Sequence, residues 1–127
     1  MIRIDHIALY VRDLEGAKTF FTAYFDVIAG EKYENPNTGF SAYFLAFDGG
    51  SRLELMHLAE LSDLPTEKTV GYAHAAFSVG SREAVDALTA RLLSDGYTVL
   101  SGPRVTGDGY YESCVRGYEG ILLEITV

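Results

Sequence analysis

Two strand-like runs, each with a histidine fifth in the run, open the two halves of the chain: IRIDHIALYV over 2–11 and VGYAHAAFSV over 70–79. Side chains alternate across a strand. Ile2, Ile4, His6, Ala8 and Tyr10 are therefore expected on one face of the first strand, and Tyr72, His74, Ala76 and Ser78 on one face of the second. His6 and His74 stand 68 positions apart, as do Asp13 and Ser81, which occupy the places of helix N-caps. Beyond Asp13, Leu14, Ala17, Phe21, Tyr24 and Phe25 fall on one side of a helix. Beyond Ser81, Ala84, Val85, Leu88 and Leu92 do the same. Gly30 is expected to follow the end of the first helix, and Gly96 to stop the second.

Each helix is followed by strand-like runs. In the first half these are 40–48 and 51–58, joined by the hairpin signal Gly49-Gly50, with 31–34 a weaker candidate. In the second half they are 97–100, 109–116 and 121–127, the last two joined by a Gly-Tyr-Glu-Gly turn over 117–120. Each half thus reads strand, helix, then about three strands, which makes the chain an α+β protein built from a duplicated βαβββ plan. The expected boundaries are a first module over 1–58, a polar linker over 59–69 and a second module over 70–127. Modules of about 60 residues bury little apolar surface alone, so the two are expected to form one structural domain.

Composition narrows the class. The chain has 127 residues, 48% hydrophobic and 22% charged, which suits a soluble globular protein and rules out a disordered tail. No stretch approaches 18 uninterrupted apolar residues, and the charged start MIRID does not resemble a signal peptide. The net charge of −8 repels phosphate backbones, so nucleic acid and anionic membranes are poor partners. A single cysteine, Cys114, excludes an intramolecular disulfide and fits a cytoplasmic location.

The candidate chemistry lies in the repeat. Glu54 in LELM and Glu124 in LLEI stand 70 positions apart, close to the 68 of the histidines. Each half therefore has a His in its first strand and a Glu in its last. A carboxylate in a run as apolar as ILLEITV needs an Arg, a wet cleft or a metal, because burying it alone costs several kcal/mol. His6, Glu54, His74 and Glu124 form a good N₂O₂ set for a divalent ion such as Ni²⁺, Co²⁺, Zn²⁺ or Fe²⁺. By strand parity His57 faces away from Glu54 and is not expected to be a ligand. Cys114 is expected to be a buried thiol rather than a nucleophile.

The segments IDHIALYVRDLEGAKTFF, RLELM, YAHAAFSV and GILLEI resemble the vicinal oxygen chelate superfamily, and the resemblance covers essentially the whole chain. It implies two βαβββ modules in tandem, forming a curved mixed sheet around a metal cleft. The superfamily's dioxygenases and thiol transferases match at His6, His74 and Glu124. Glyoxalase I also uses the position of Glu54, so it is the enzyme most resembled. That resemblance implies a lyase/isomerase turning a thiol hemithioacetal of an α-ketoaldehyde into an S-2-hydroxyacyl thioester. The route would be proton transfer through a metal-bound enediolate, with Glu124 as the base and Glu54 as a second base. Alternatives within the resemblance are an epimerase, an extradiol-type dioxygenase, or a non-catalytic drug-binding resistance protein. A homodimer acting on a small-molecule substrate is implied by analogy.

Two positions depart from glyoxalase I. Its glutathione-gripping Arg and Asn are replaced here by Tyr10 and Leu58. This supports the metal chemistry better than it supports glutathione as the thiol. Tyr10, Arg104 and Tyr110 are the substrate-binding candidates, Arg104 as the anion partner. The loop 101–109 (SGPRVTGDG) is expected either to close over a cleft as a lid or to be a plain surface connection.

Overall fold

A computed structural model describes residues 4–63, 70 and 72–127. Positions 1–3 of the first expected strand, Gly71 of the second, and 64–69 of the expected linker lie outside the described residues. The chain divides into two compact units, Met1–Asp63 and Leu64–Val127.

The first unit runs β1 (His6–Tyr10), α1 (Leu14–Phe25), β2 (Ile28–Ala29), β3 (Tyr33–Asn35), β4 (Phe40–Ala46) and β5 (Arg52–His57). Its sheet has the order β1-β5-β4-β2, with β3 also on β4; β1 lies parallel to β5 and the other pairs are antiparallel. The second runs β6 (Ala75–Ser78), α2 (Arg82–Ser94), β7 (Thr98–Val105), β8 (Tyr111–Arg116) and β9 (Leu122–Thr126), in the order β6-β9-β8-β7. Again only the first strand pairs in parallel, β6 on β9. This is an α+β fold of two βαβββ modules. In the first, the short β2 and β3 together take the place that the long β7 fills in the second.

The duplication holds at the level of register. Glu54 lies between Ala8 of β1 and Phe44 of β4, and Glu124 lies between Ala76 of β6 and Cys114 of β8. The expected caps form: Asp13 accepts from the Gly16 amide at 3.0 Å, and Ser81 from the Ala84 amide at 3.1 Å.

Each helix covers one face of its own sheet. Leu14, Ala17, Phe20 and Phe21 of α1 are buried, as are Tyr43, Leu45, Leu53 and Leu55 of the sheet. In the second unit Val85, Thr89 and Leu92 of α2 are buried, with Ser113, Val115, Leu123 and Ile125. Burying each Leu, Ile or Phe here contributes about 1.5–3 kcal/mol. Period-2 alternation then places His6, Glu54, Glu112, Cys114 and Glu124 on the sheet faces that their own helices leave open. Among the described residues no helix is long and apolar enough to cross a membrane.

Three expectations are corrected. The first helix stops at Phe25, with Asp26 in the left-handed region (φ 50°), which a short polar side chain tolerates. Gly30 lies instead between β2 and β3, its amide donating to the Phe44 carbonyl at 2.9 Å. The buried set of α2 includes Thr89, which apolar periodicity passes over; its hydroxyl donates to the Val85 carbonyl and meets Ser113 Oγ, both at 2.6 Å. The lid reading of 101–109 fails for its first five residues. They continue β7 on β8, with Arg104 opposite Glu112 and register shifts on either side of Ser101. A proline is tolerated there because β7 is an edge strand. Only a tight turn remains, closed by the Thr106 amide on the Tyr110 carbonyl at 2.7 Å.

Candidate functional site

Each unit brings one imidazole and one carboxylate together on its open sheet face. In the first, His6 Nε2 stands 3.7 Å from Glu54 Oε1. The two residues sit on neighbouring parallel strands, two positions out of register, so their side chains meet diagonally. The His6 ring packs edge-on against Phe44, centroids 5.1 Å apart at 85°. Its Nδ1 is 2.9 Å from Asp5 Oδ2, which also accepts from Arg52 Nη2 at 2.5 Å. The hydrogen bond with His6, followed by that from Arg52, holds the Asp5 carboxyl below its ordinary pKa.

In the second unit His74 Nε2 stands 2.8 Å from Glu124 Oε2. A second acid joins them. Glu112 lies on the same face of β8 as Cys114, the register partner of Glu124, and its side chain hydrogen-bonds Glu124. That hydrogen bond, then burial, then the negative charge of Glu124 push the Glu112 pKa up to about 7. Burial, with the charges of Glu124 and Glu112 behind it, also pushes the Cys114 thiol up. A thiol so raised is a poor nucleophile.

The Glu112 shift has a consequence for stability. A carboxyl whose folded pKa lies above its unfolded value contributes stability below the unfolded value, about 4.5, and loses it as pH rises through about 7. In chelator, the melting temperature of the wild type is expected to fall between about pH 5 and pH 8. Glu112→Gln is expected to flatten that fall, as thermal melts across the range will show. An equal slope in both proteins would remove Glu112 as its source.

The other predicted residues are placed as follows. Tyr10 is exposed at the end of β1 on the His6 side of the strand, opposite Met56. Arg104 is exposed on β7 beside Glu112. Tyr110 is exposed where the 106–110 turn enters β8, its amide donating to Thr106 Oγ1 at 3.0 Å. Leu58 is half-buried. His57 turns to the opposite side of β5, where its Nδ1 meets the Val11 carbonyl at 2.9 Å. Repeat matching passes over Asp5, Arg52 and Glu112. Parity was the signal for two of them, since Glu112 shares a strand face with Cys114 and Arg52 with Glu54; Asp5, next to His6 and just before β1, had none.

Within each unit the His–Glu separation suits two ligands of one divalent transition ion. Two ligand atoms about 2.1 Å from one ion stand about 3.0 Å apart at a right angle and about 3.4 Å apart at the tetrahedral angle. The His–Glu separations of 2.8 and 3.7 Å bracket those values. The Asp5 carboxylate lies at His6 Nδ1, so Nε2 is the ring nitrogen that faces Glu54, the arrangement common behind a metal-bound histidine. Among the described residues no three or more His, Cys, Asp or Glu side chains gather as a metal cluster, so neither unit completes a site from its described residues.

Residues 3–125 match the family model described as glyoxalase/bleomycin resistance protein/dioxygenase superfamily. The chain is 32% identical over 127 residues to the uncharacterized protein YqjT of Bacillus subtilis (strain 168), 96% of each chain being covered. Its fold is similar to that of a glyoxalase family protein from Bacillus cereus (TM-score 0.81, 22% identity, 99% of this chain and 93% of the other). It is also similar to the trypanothione-dependent glyoxalase I of Leishmania major (0.78, 19%, 99% and 86%). A third similar fold is the fosfomycin resistance protein FosX of Listeria monocytogenes (0.72, 21%, 98% and 90%).

Proposed function

We propose that this chain, which belongs to the glyoxalase/bleomycin resistance protein/dioxygenase superfamily, is a metal-dependent lyase/isomerase of the glyoxalase I type. Its substrate would be the thiol hemithioacetal of an α-ketoaldehyde, a small molecule, and its product an S-2-hydroxyacyl thioester. One observation carries this reading: both units hold a histidine Nε2 facing a glutamate at the same place in the same strand pattern, so the repeat supplies two nitrogens and two carboxylates. Glu54 is what separates a four-ligand set of the glyoxalase I kind from a three-ligand set.

His6, Glu54, His74 and Glu124 would hold the ion. When bound, it supplies Lewis acidity toward the substrate's two neighbouring oxygens. The chain's own groups move the proton. Glu124 takes it from the carbon bearing sulfur, breaking that C–H bond. The proton returns to the adjacent former carbonyl carbon, with Glu54 as the second base. The carbon next to sulfur is oxidised and its neighbour reduced by the same amount, so no external oxidant or reductant is consumed. Tyr10, Arg104 and Tyr110 would contact the substrate, Arg104 as the partner of an anionic group. Tyr10 and Leu58, standing in place of a charged clamp, support a thiol other than glutathione.

Elemental analysis of the purified protein is expected to find about one divalent ion per set of four ligands. The ion should be removable by chelator, and activity should return on adding Ni²⁺, Co²⁺ or Zn²⁺. Methylglyoxal offered with a panel of thiols is expected to give thioester, detected by its absorbance, with glutathione among the poorer partners. Oxygen uptake restricted to Fe²⁺ protein would replace the isomerase reading with ring cleavage. A metal-free protein that binds drugs tightly and turns over none of these mixtures would replace it with sequestration.

A further inference from the structure

The two His–Glu pairs are not equally supported, and the duplication acts as an internal control. In the first unit Asp5, His6, Phe44 and Arg52 close a ring of contacts. Asp5 Oδ2 meets His6 Nδ1 at 2.9 Å and Arg52 Nη2 at 2.5 Å, while the Arg52 guanidinium lies 4.5 Å over the Phe44 ring against which His6 packs. Register makes the ring close, since His6 pairs directly with Arg52 and Phe44 with Glu54. The repeat offsets give the second unit Ala73, Leu122 and Cys114 at the places of Asp5, Arg52 and Phe44. None of these makes the equivalent contact. There the imidazole and carboxylate close directly at 2.8 Å, whereas His6 Nε2 is held back at 3.7 Å from Glu54, beyond hydrogen-bond reach.

We propose that Asp5, clamped by Arg52, is a positioning residue that holds His6 in the Nδ1–H tautomer and keeps the Nε2 lone pair unbonded for an electrophile. A neutral imidazole has one donor and one acceptor nitrogen, and a carboxylate on one side fixes which is which. Arg52 occupies that carboxylate and stacks on Phe44, which keeps Asp5 on the Nδ1 side of the ring. The ligand role of Nε2 rests on the metal-dependent reading above; the tautomer itself does not.

The test uses the full chain and two readouts. Nitrogen-15 NMR in chelator, above the histidine titration range, reads the His6 tautomer. Competition with a chromophoric chelator reads Zn²⁺ and Ni²⁺ affinity. The wild type and Asp5→Asn, whose amide oxygen still accepts from Nδ1, are expected to show Nδ1–H. Asp5→Ala is expected to show a mixture dominated by Nε2–H and to bind either ion about tenfold more weakly. Tenfold is the low end of the range for such partners, fitting an Asp5 side chain that is 62% exposed. Arg52→Gln is expected to fall between wild type and Asp5→Ala. An Asp5→Ala protein whose His6 stays Nδ1–H overturns the inference and leaves the metal reading standing. A wild type that shows Nδ1–H and binds neither ion overturns the metal reading and leaves the positioning of His6 standing.

Discussion

Glu124→Gln is expected to lower turnover by about a thousandfold or more while leaving the fold in place. General-base removal alone costs about 10²–10⁴ in rate, and this substitution also takes one carboxylate from the proposed ligand set. Volume and hydrogen bonding are nearly conserved, so the adjacent Leu123 and Ile125, both fully buried, keep their packing. The amide can still face His74, and its oxygen can still accept from Glu112. Steady-state kinetics with methylglyoxal and the best thiol of the panel give the rate, and circular dichroism with a thermal melt gives the fold. Because the Glu112 pKa is raised by Glu124 in the first place, the same variant should also lose most of the pH dependence of stability expected for the wild type. If Glu124→Gln kept more than a tenth of wild-type kcat, the base would have to be sought elsewhere, with Glu54→Gln the next variant to assay. Loss of pH dependence without loss of turnover would make Glu124 a structural partner of His74 and Glu112.

What the sequence showed of this site depended on symmetry. His6, Glu54, His74 and Glu124 stand out because each has a counterpart at nearly the same offset, and strand parity then puts each pair on one face. The β5 pairing places Glu54 beside Ala8 and Phe44, and His57 on the other side with Val11, as alternation requires. The residues that support the pairs break the symmetry and so escaped notice. Asp5 is matched by Ala73, Arg52 by Leu122, and Glu112 by Ala42. A repeat filter keeps what both copies share and discards what each acquired alone, and these supporting groups belong to the second kind. The fold errors have local causes. Gly102-Pro103 reads as a loop because both residues are turn formers, yet an edge strand has room for a proline and a left-handed glycine. Thr89 and Ser113 are polar by type and invisible to apolar periodicity, and they enter the core by satisfying each other. Asp26 ends its helix in a conformation usually left to glycine.

Gly102→Ala is expected to be among the most destabilising single-atom additions in the second unit, at about 3 kcal/mol or more. Its φ of +76° alone costs a side-chain-bearing residue about 1–2 kcal/mol. The larger part is steric. A Cβ here would lie 2.4 Å from the Glu112 carbonyl oxygen, 3.0 Å from Ser113 Cα and 3.1 Å from the Arg104 amide nitrogen. All three are backbone atoms that no rotamer change can move aside, so β7 must separate from β8 for the methyl group to fit. Two other glycines resolve the contributions. Gly109 has φ +93° with nothing within 4 Å of an added Cβ, so Gly109→Ala should show the conformational cost alone. Gly30, with an ordinary φ and the Phe44 carbonyl at 3.6 Å, should show almost none. The expected order of melting temperatures is Gly30→Ala, then Gly109→Ala, then Gly102→Ala about 10 °C below wild type. The strand displaced in the last variant carries the Glu112 backbone, one cross-strand step from Glu124. Gly102→Ala should therefore also weaken Zn²⁺ binding by the folded protein, whereas Gly109→Ala should not. If Gly102→Ala melted together with Gly109→Ala, the close approach of β7 to β8 would contribute nothing beyond the backbone angle, and the tight seam beneath Glu112 would have to be given up.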